Sequence, residues 1–190
     1  MGKFILIAIG GFLALLIMAA AFVISVRNGL ITRDETVKTG WAEIDNQLQR
    51  RADLIPNLVN TVKGYAAHEK NIFETVAEAR GKLMSAQGPQ QKAEAGAALD
   101  GALGRLLAIA ENYPMLKADT NFIRLQDELA GTENRISVAR TRYNASVLDF
   151  NAAIRRFPGS VFAPSLGFES AQYFQVEDRA KVAKPPEVKF

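Results

Sequence analysis

The chain has no cysteine and a single histidine, His68, among its 190 residues. Without cysteine there is no disulfide, no thiolate nucleophile and no thiolate metal ligand. The redox compartment stays open, because a cysteine-free chain suits either side of a membrane. One histidine removes further chemistry. A zinc site needs several ligands at suitable spacing, and His68 beside Glu69 is too little. The Glu-x-x-His pairs of di-iron bundles would need two histidines. A serine nucleophile would lack its imidazole base. His68 therefore reads as a polar turn residue.

Charge of one sign is not massed anywhere. The 23 Lys and Arg against 20 Asp and Glu leave a formal net charge of +3, spread along the chain. Nucleic acid calls for a concentrated basic stripe, so no nucleic-acid partner is expected. A phosphate cradle is also missing: Gly96, Gly101 and Gly104 lie in an Ala-rich stretch without the Lys-Ser/Thr of a P-loop. Glu43 with Asp45, and Glu128 with Glu133, could meet across helices, but salt-bridged or solvated faces are the plainer account. The expectation is a protein that is not an enzyme, with no catalytic residue, no cofactor and no metal.

Long hydrophobic runs are scarce too, and the one present is informative. Phe4–Val26 carries no charge, and at ~1.5 Å per residue it reaches roughly 35 Å, enough to cross a hydrocarbon core of about 30 Å. A cleaved signal peptide is the competing reading. Ala19-Ala20-Ala21 resembles a cleavage site, yet Phe22-Val23-Ile24-Ser25-Val26 continues the apolar run beyond it, past the usual signal length. The expectation is a retained single-pass anchor. Lys3 and the amino terminus before the run, against Arg27, Arg33 and Lys38 after it, tip the soluble part toward the cytoplasm by one charge. That leaves its side undecided.

The remaining chain reads as helix. Asn28-Gly29 punctuates the end of the membrane helix, although one glycine need not break it, and Thr32 with Glu35 forms a capping-box pattern that opens a new helix or a new phase of the same one. Val37, Trp41, Ile44, Leu48, Ile55, Leu58, Val62 and Tyr65 then follow steps of four and three, with Arg51 filling one step. Such a repeat is a seam that packs on partner helices. Pro56 lies inside it and predicts a kink near Ala52–Asp53. A second helix is expected over 69–86, with Phe73, Val76 and Leu83 inward, and a third over 91–112, with Leu99, Leu103, Leu106 and Ile109 inward. The fourth and longest, over 119–156, holds Phe122, Leu125, Leu129, Ile136, Ala139, Tyr143, Val147, Phe150 and Ile154 on one face. Gln87-Gly88-Pro89, Tyr113-Pro114 and Phe157-Pro158-Gly159 punctuate the series.

The expected fold is all-α: an N-terminal transmembrane helix followed by an antiparallel bundle of about four long helices, with an irregular C-terminal tail. Its parts are a short N-terminal tail (1–3), the anchor (4–26), a juxtamembrane segment (27–36), the bundle (37–159) and an extended or disordered tail (160–190). The tail reading rests on Pro164, Gly167, Pro185 and Pro186 among spaced aromatics.

Three blocks resemble the LemA family. The first runs from Trp41 through Asp45, Arg50, Arg51, Asp53, Pro56 and Asn57 to Gly64-Tyr65. The second is Gly104-Arg105 through Glu111 to Tyr113-Pro114. The third comprises Leu129 to Ile136, Ala139-Arg140, Tyr143-Asn144 and Arg155 to Gly159. They span nearly the whole soluble part. Ala52 departs from the pattern, which often carries a larger side chain there. The resemblance implies a bacterial membrane protein with a short N-terminal tail, one span and a helical bundle. It implies no activity.

Polar residues inside the seams are the candidate site. Arg51 stands where the repeat calls for an apolar residue, beside Arg50 and Asp53, while Glu133, Asn134 and Arg135 interrupt the face between Leu129 and Ile136. A buried charge costs several kcal/mol unless paired, so Arg51 should find a carboxylate such as Glu133. One reading is a polar layer that fixes helix register; the other is a site for a partner. The functional expectation is a scaffold or assembly protein of the bacterial inner membrane. Its expected partners are the lipid bilayer, further copies of itself and another membrane protein. The alternatives are an adaptor for an envelope protease, or a hydrolase using carboxylates in a bundle cleft.

Overall fold

The computed structural model describes residues 2–175. Among these the chain is all-α, in the order α1 (Gly2–Lys63), α2 (Lys70–Ser85), α3 (Gly88–Ala110), α4 (Pro114–Lys117), α5 (Thr120–Arg155) and α6 (Gly159–Phe162), then a 3-10 turn, Pro164–Leu166. The fold class is the one expected from the sequence. The chain forms two compact units, Met1–Thr39 with Ala145–Ala171, and Gly40–Asn144 with Gln172–Phe190.

In the first unit α1 opens with a stretch that is helical, apolar and unburied. It is long and apolar enough to cross a membrane, and none of its apolar window is buried. Phe4, Phe12, Leu15, Met18 and Phe22 are all more than half exposed. In water that surface would carry a large hydrophobic penalty, whereas lipid removes it. Among the described side chains of α1, Leu30 is the first that is buried. Asn28-Gly29 does not end the helix, since one glycine costs only about 1 kcal/mol in a helix interior. Thr32 does not cap a new one either. Its hydroxyl donates back to the Asn28 carbonyl at 2.9 Å, the bond a mid-helix threonine makes.

The end of α5 and the segment after it complete this unit. Val147, Phe150, Asn151 and Ile154 are buried, and Arg33 Nε pairs with Asp149 Oδ2 at 2.9 Å. Residues 160–171, within the segment expected as an irregular tail, form the rest of α6, the 3-10 turn and an irregular stretch. Ala163 is buried, and Phe168 meets Phe150 edge to face at 5.7 Å. The Asn151 amide donates to the Ala171 carbonyl at 3.0 Å and accepts from its N–H at 2.8 Å. Irregular backbone is thus held by a side chain that imitates a strand edge. Residues 176–190 of the expected tail lie outside the described residues.

Gly159 makes the corner into α6 possible. A Cβ there would collide with the Ala153 carbonyl oxygen and stand 3.5 Å from Leu30 Cδ2. The nearer obstacle is backbone and cannot rotate away. Gly159→Ala is expected to cost about 1–3 kcal/mol, read as a lowered denaturation midpoint of the detergent-solubilised chain. Ser160→Ala, at an exposed position, is the control and should leave the midpoint unchanged.

In the second unit the seam of α1 is buried at Ile44, Leu48, Arg51, Ala52, Ile55, Leu58 and Val62. Facing cores come from Phe73, Val76 and Leu83 of α2, Leu99, Leu103 and Leu106 of α3, Leu116 of α4, and Phe122, Leu129, Ile136 and Tyr143 of α5. Tyr65 is exposed because α1 stops at Lys63. Ile109 and Leu125 are only half-buried. Asp119 caps α5, accepting from the Asn121 and Phe122 N–H groups at 2.8 and 3.0 Å and from the Tyr65 hydroxyl at 2.8 Å. These donors favour the ionised carboxylate and hold its pKa below the ordinary value, the Phe122 N–H contributing most.

Candidate functional site

The site lies in the second unit and is built on Arg51. Its place in the α1 seam buries the residue to 8% exposure. A guanidinium cannot shed its charge, so the fold must bring acceptors to it. Nη1 lies 2.7 Å from Asp100 Oδ1 of α3 and 2.5 Å from Glu133 Oε2 of α5. One cation thus ties three helices together. Both carboxylates are about half exposed, at 45% and 49% of their side-chain surface, which lowers the desolvation cost of the cluster. Burial pushes the Asp100 carboxyl above its ordinary pKa, the Arg51 charge opposes that rise, and the neighbouring Glu133 charge adds to it.

Small residues make this approach possible. Ala93, Gly96 and Ala97 of α3 line a pocket of about 80 Å³ beside Arg51, and Arg140 and Phe174 close other sides. A Cβ on Gly96 would just touch Leu48 Cδ2 at 4.0 Å. The Arg51 Nε atom is buried without a hydrogen-bond partner. The pocket has room for water but holds no histidine, no thiol and no activated hydroxyl. Among the described residues no group of three or more His, Asp or Glu side chains could hold a metal. The cluster can fix helix register, and its half-exposed carboxylates can meet a further charge.

The structure sorts the other candidates. Arg50 pairs with Glu128 at 3.1 Å on an exposed face, and Asp53 accepts from Gln49 at 3.0 Å. Asn134 and Arg135 are exposed, so the described polar layer is Arg51 with its two carboxylates. Asp45 lies 2.8 Å from Lys92 Nζ, outside hydrogen-bonding alignment, since its Oδ1 has no hydrogen-bond partner. Pro56 stands within α1, which continues past it. Proline has no N–H to offer the carbonyl four residues earlier, and Arg80 Nε donates to that carbonyl, on Ala52, at 2.7 Å. Asp100 and Arg80 were absent from the sequence reading. The signal for Asp100 was its place in the Gly/Ala-rich face of α3, where helices approach closely.

A second polar device in this unit holds the segment at 172–174. The Tyr143 hydroxyl donates to the Gln172 carbonyl at 2.7 Å, and burial raises its pKa to about 12. The Asn144 amide donates to the Phe174 carbonyl at 3.2 Å and accepts from the Phe174 N–H at 2.9 Å. Trp41 lies tilted against both Tyr143 and Phe174, with ring centroids 5.8 and 6.0 Å apart, and Phe174 is buried. Asn144→Ala is expected to leave two backbone groups unpaired and to cost about 1–3 kcal/mol. Hydrogen exchange should show the loss first as reduced protection of the Phe174 amide.

Fold and site together define a class: an all-helical protein with one membrane-length apolar helix and a bundle held by paired charges. Residues 40–190 match the model of the LemA family, and the chain belongs to that family. It is similar to the protein named magnetosome protein MamQ of Magnetospirillum gryphiswaldense, at 29% identity over 77% of this chain and 64% of the relative. Magnetosome proteins MamQ 2 and MamQ 1 of Paramagnetospirillum magneticum are likewise 29% identical, over 78% of this chain and 64% of theirs. The chain therefore spans somewhat less than two thirds of the length of these relatives.

Proposed function

We propose that the protein is a non-enzymatic scaffold, anchored by Phe4–Val26 in the bacterial inner membrane, that self-associates into a homo-oligomer. The observation that carries this reading is the unburied apolar helix at the head of α1, joined to a bundle whose central charges satisfy one another. Arg51 is held by Asp100 and Glu133, and Arg50 by Glu128, so these charges are engaged in holding helices together. An anchor confines identical bundles to one plane and raises their effective concentration, so weak lateral contacts suffice. Gly10 and Gly11, with open space where a Cβ would stand, allow close approach of a second span. The relatives' names refer to a cell structure and not to a reaction.

The test is the native mass of the full-length chain in detergent or nanodiscs. A defined multiple of the 20.7 kDa chain supports the scaffold. A monomer at all protein concentrations contradicts it.

A further inference from the structure

The corner between α5 and α6 carries apolar surface that the fold does not use. Phe157 is 80% exposed and Val161 61%, and Pro164 is exposed as well. Phe157 lies just before α6, Val161 lies in it and Pro164 opens the 3-10 turn after it, so the three fall within eight residues of one corner. Singly such residues need no explanation; here their position supplies one. Within the first unit, Arg156, Phe157 and Pro158 line the same groove, of about 380 Å³, as Ser25, Val26 and Gly29 of α1. Phe157 therefore stands level with the last turn of the membrane-length run, where Phe22 and Ile24 are still exposed. Val26, the last residue of the apolar run, and Phe157 thus border one groove.

Charge follows the same line. Arg27 comes directly after the run, and Arg155 and Arg156 directly before Phe157; all three are exposed. Among the described residues Arg27 and Arg156 have no carboxylate partner, and Arg155 reaches only the Ser170 hydroxyl at 3.4 Å. Apolar side chains flanked by unpaired basic ones are the composition of a surface that lies in a membrane interface. Such cations meet the phosphates of anionic lipid.

We propose that the Phe157–Pro164 corner is a second, interfacial membrane contact. Phe157, Val161 and Pro164 enter the headgroup–acyl boundary of the bilayer that Phe4–Val26 crosses, while Arg27, Arg155 and Arg156 bind anionic headgroups. The contact rests on the reading of Phe4–Val26 as a span. Its effect is to give the first unit, which already contains the span, a second hold on the bilayer that sets how far the span sinks and tilts.

Depth-dependent quenching tests this in the full-length chain. Trp41→Phe removes the single tryptophan, and Phe157→Trp, Val161→Trp or Leu15→Trp then adds one reporter at a time. Each protein is placed in vesicles of phosphatidylcholine and phosphatidylglycerol containing lipids brominated at known acyl positions. Shallow bromines are expected to quench the Phe157→Trp and Val161→Trp proteins most, at a depth of about 5–10 Å into the boundary. Deep bromines should quench the Leu15→Trp protein. Adding Arg155→Gln and Arg156→Gln should reduce quenching of the Phe157→Trp reporter, as should replacing phosphatidylglycerol by phosphatidylcholine. A quenched Leu15→Trp protein with both corner reporters unquenched overturns the corner contact and leaves the span intact. Corner reporters that are blue-shifted but unquenched would mean that a second copy covers them, which overturns it too. If none of the three is quenched, the span falls and the contact with it.

Discussion

A chain in which Leu13 and Ile17 are both replaced by arginine is expected to leave the membrane fraction. Each central arginine costs about 2.5–3.5 kcal/mol on insertion scales, while each Leu, Ile, Phe or Val contributes only about 0.3–0.6. Two arginines therefore offset most of what Phe4–Val26 supplies. Both positions are well exposed, at 57% and 63%, so the substitutions disturb no protein packing. Extraction of membranes at alkaline pH reads the outcome. The double variant should appear in the supernatant or as aggregate, with its bundle still helical by circular dichroism. If it stays in the membrane fraction, the run is not what holds the protein there.

The second large effect concerns Arg51. Arg51→Met removes the cation and leaves Asp100 and Glu133 facing each other. Breaking a fully buried pair costs about 3–5 kcal/mol. Here the orphaned carboxylates are half exposed and water can reach them, so the expected loss is about 1–3 kcal/mol. Adding Asp100→Asn and Glu133→Gln to Arg51→Met should recover most of that loss, because neutral amides need no counter-charge.

Asp100→Asn alone should be nearly neutral, for a reason visible in its titration. Its folded-state pKa is raised by burial, so the folded state binds its proton more readily than the unfolded one. This group therefore works against folding at neutral pH and ceases to do so as pH falls below its ordinary pKa. The asparagine variant should lose that pH dependence. A double-mutant cycle between positions 51 and 133, read by denaturant unfolding, should give a coupling of about 0.5–3 kcal/mol. A value of zero would show that the contact does no energetic work.

Much of this was legible in the sequence because the repeat itself encodes burial. The steps from Ile44 to Val62 name the residues that are buried, and Arg51 stood out because it broke the pattern while keeping its phase. Helix ends were equally readable at Gln87-Gly88-Pro89, where Gly88 adopts φ +72°, a conformation glycine takes freely. The rest depended on tertiary pairing that no single helix reveals. Asp100 is one carboxylate in an Ala-rich helix, and only the approach of α3 to α1 makes it the partner of Arg51. The freed carbonyl of Ala52 follows from Pro56, but its donor, Arg80, comes from another helix.

The contacts that hold the segment after 160 were not legible for a related reason. Proline, glycine and spaced aromatics give no periodicity, and the amides that hold it, Asn144 and Asn151, lie one heptad apart on α5. They bind backbone and leave no mark on the pattern of the segment itself. Thr32 and Glu35 satisfied the capping-box spacing, but cap patterns also occur inside continuous helices, where the hydroxyl bonds back instead.

The central claim is that identical copies associate in the plane of the bilayer, and energy transfer between copies tests it most directly. The cysteine-free sequence allows a single label, through Met115→Cys at a position 74% exposed. Donor- and acceptor-labelled full-length chains would be mixed in one vesicle population and diluted progressively with lipid. Self-association predicts transfer that persists after dilution and falls only when unlabelled chain is added. Transfer that drops with dilution to the value for random neighbours in a membrane would contradict it.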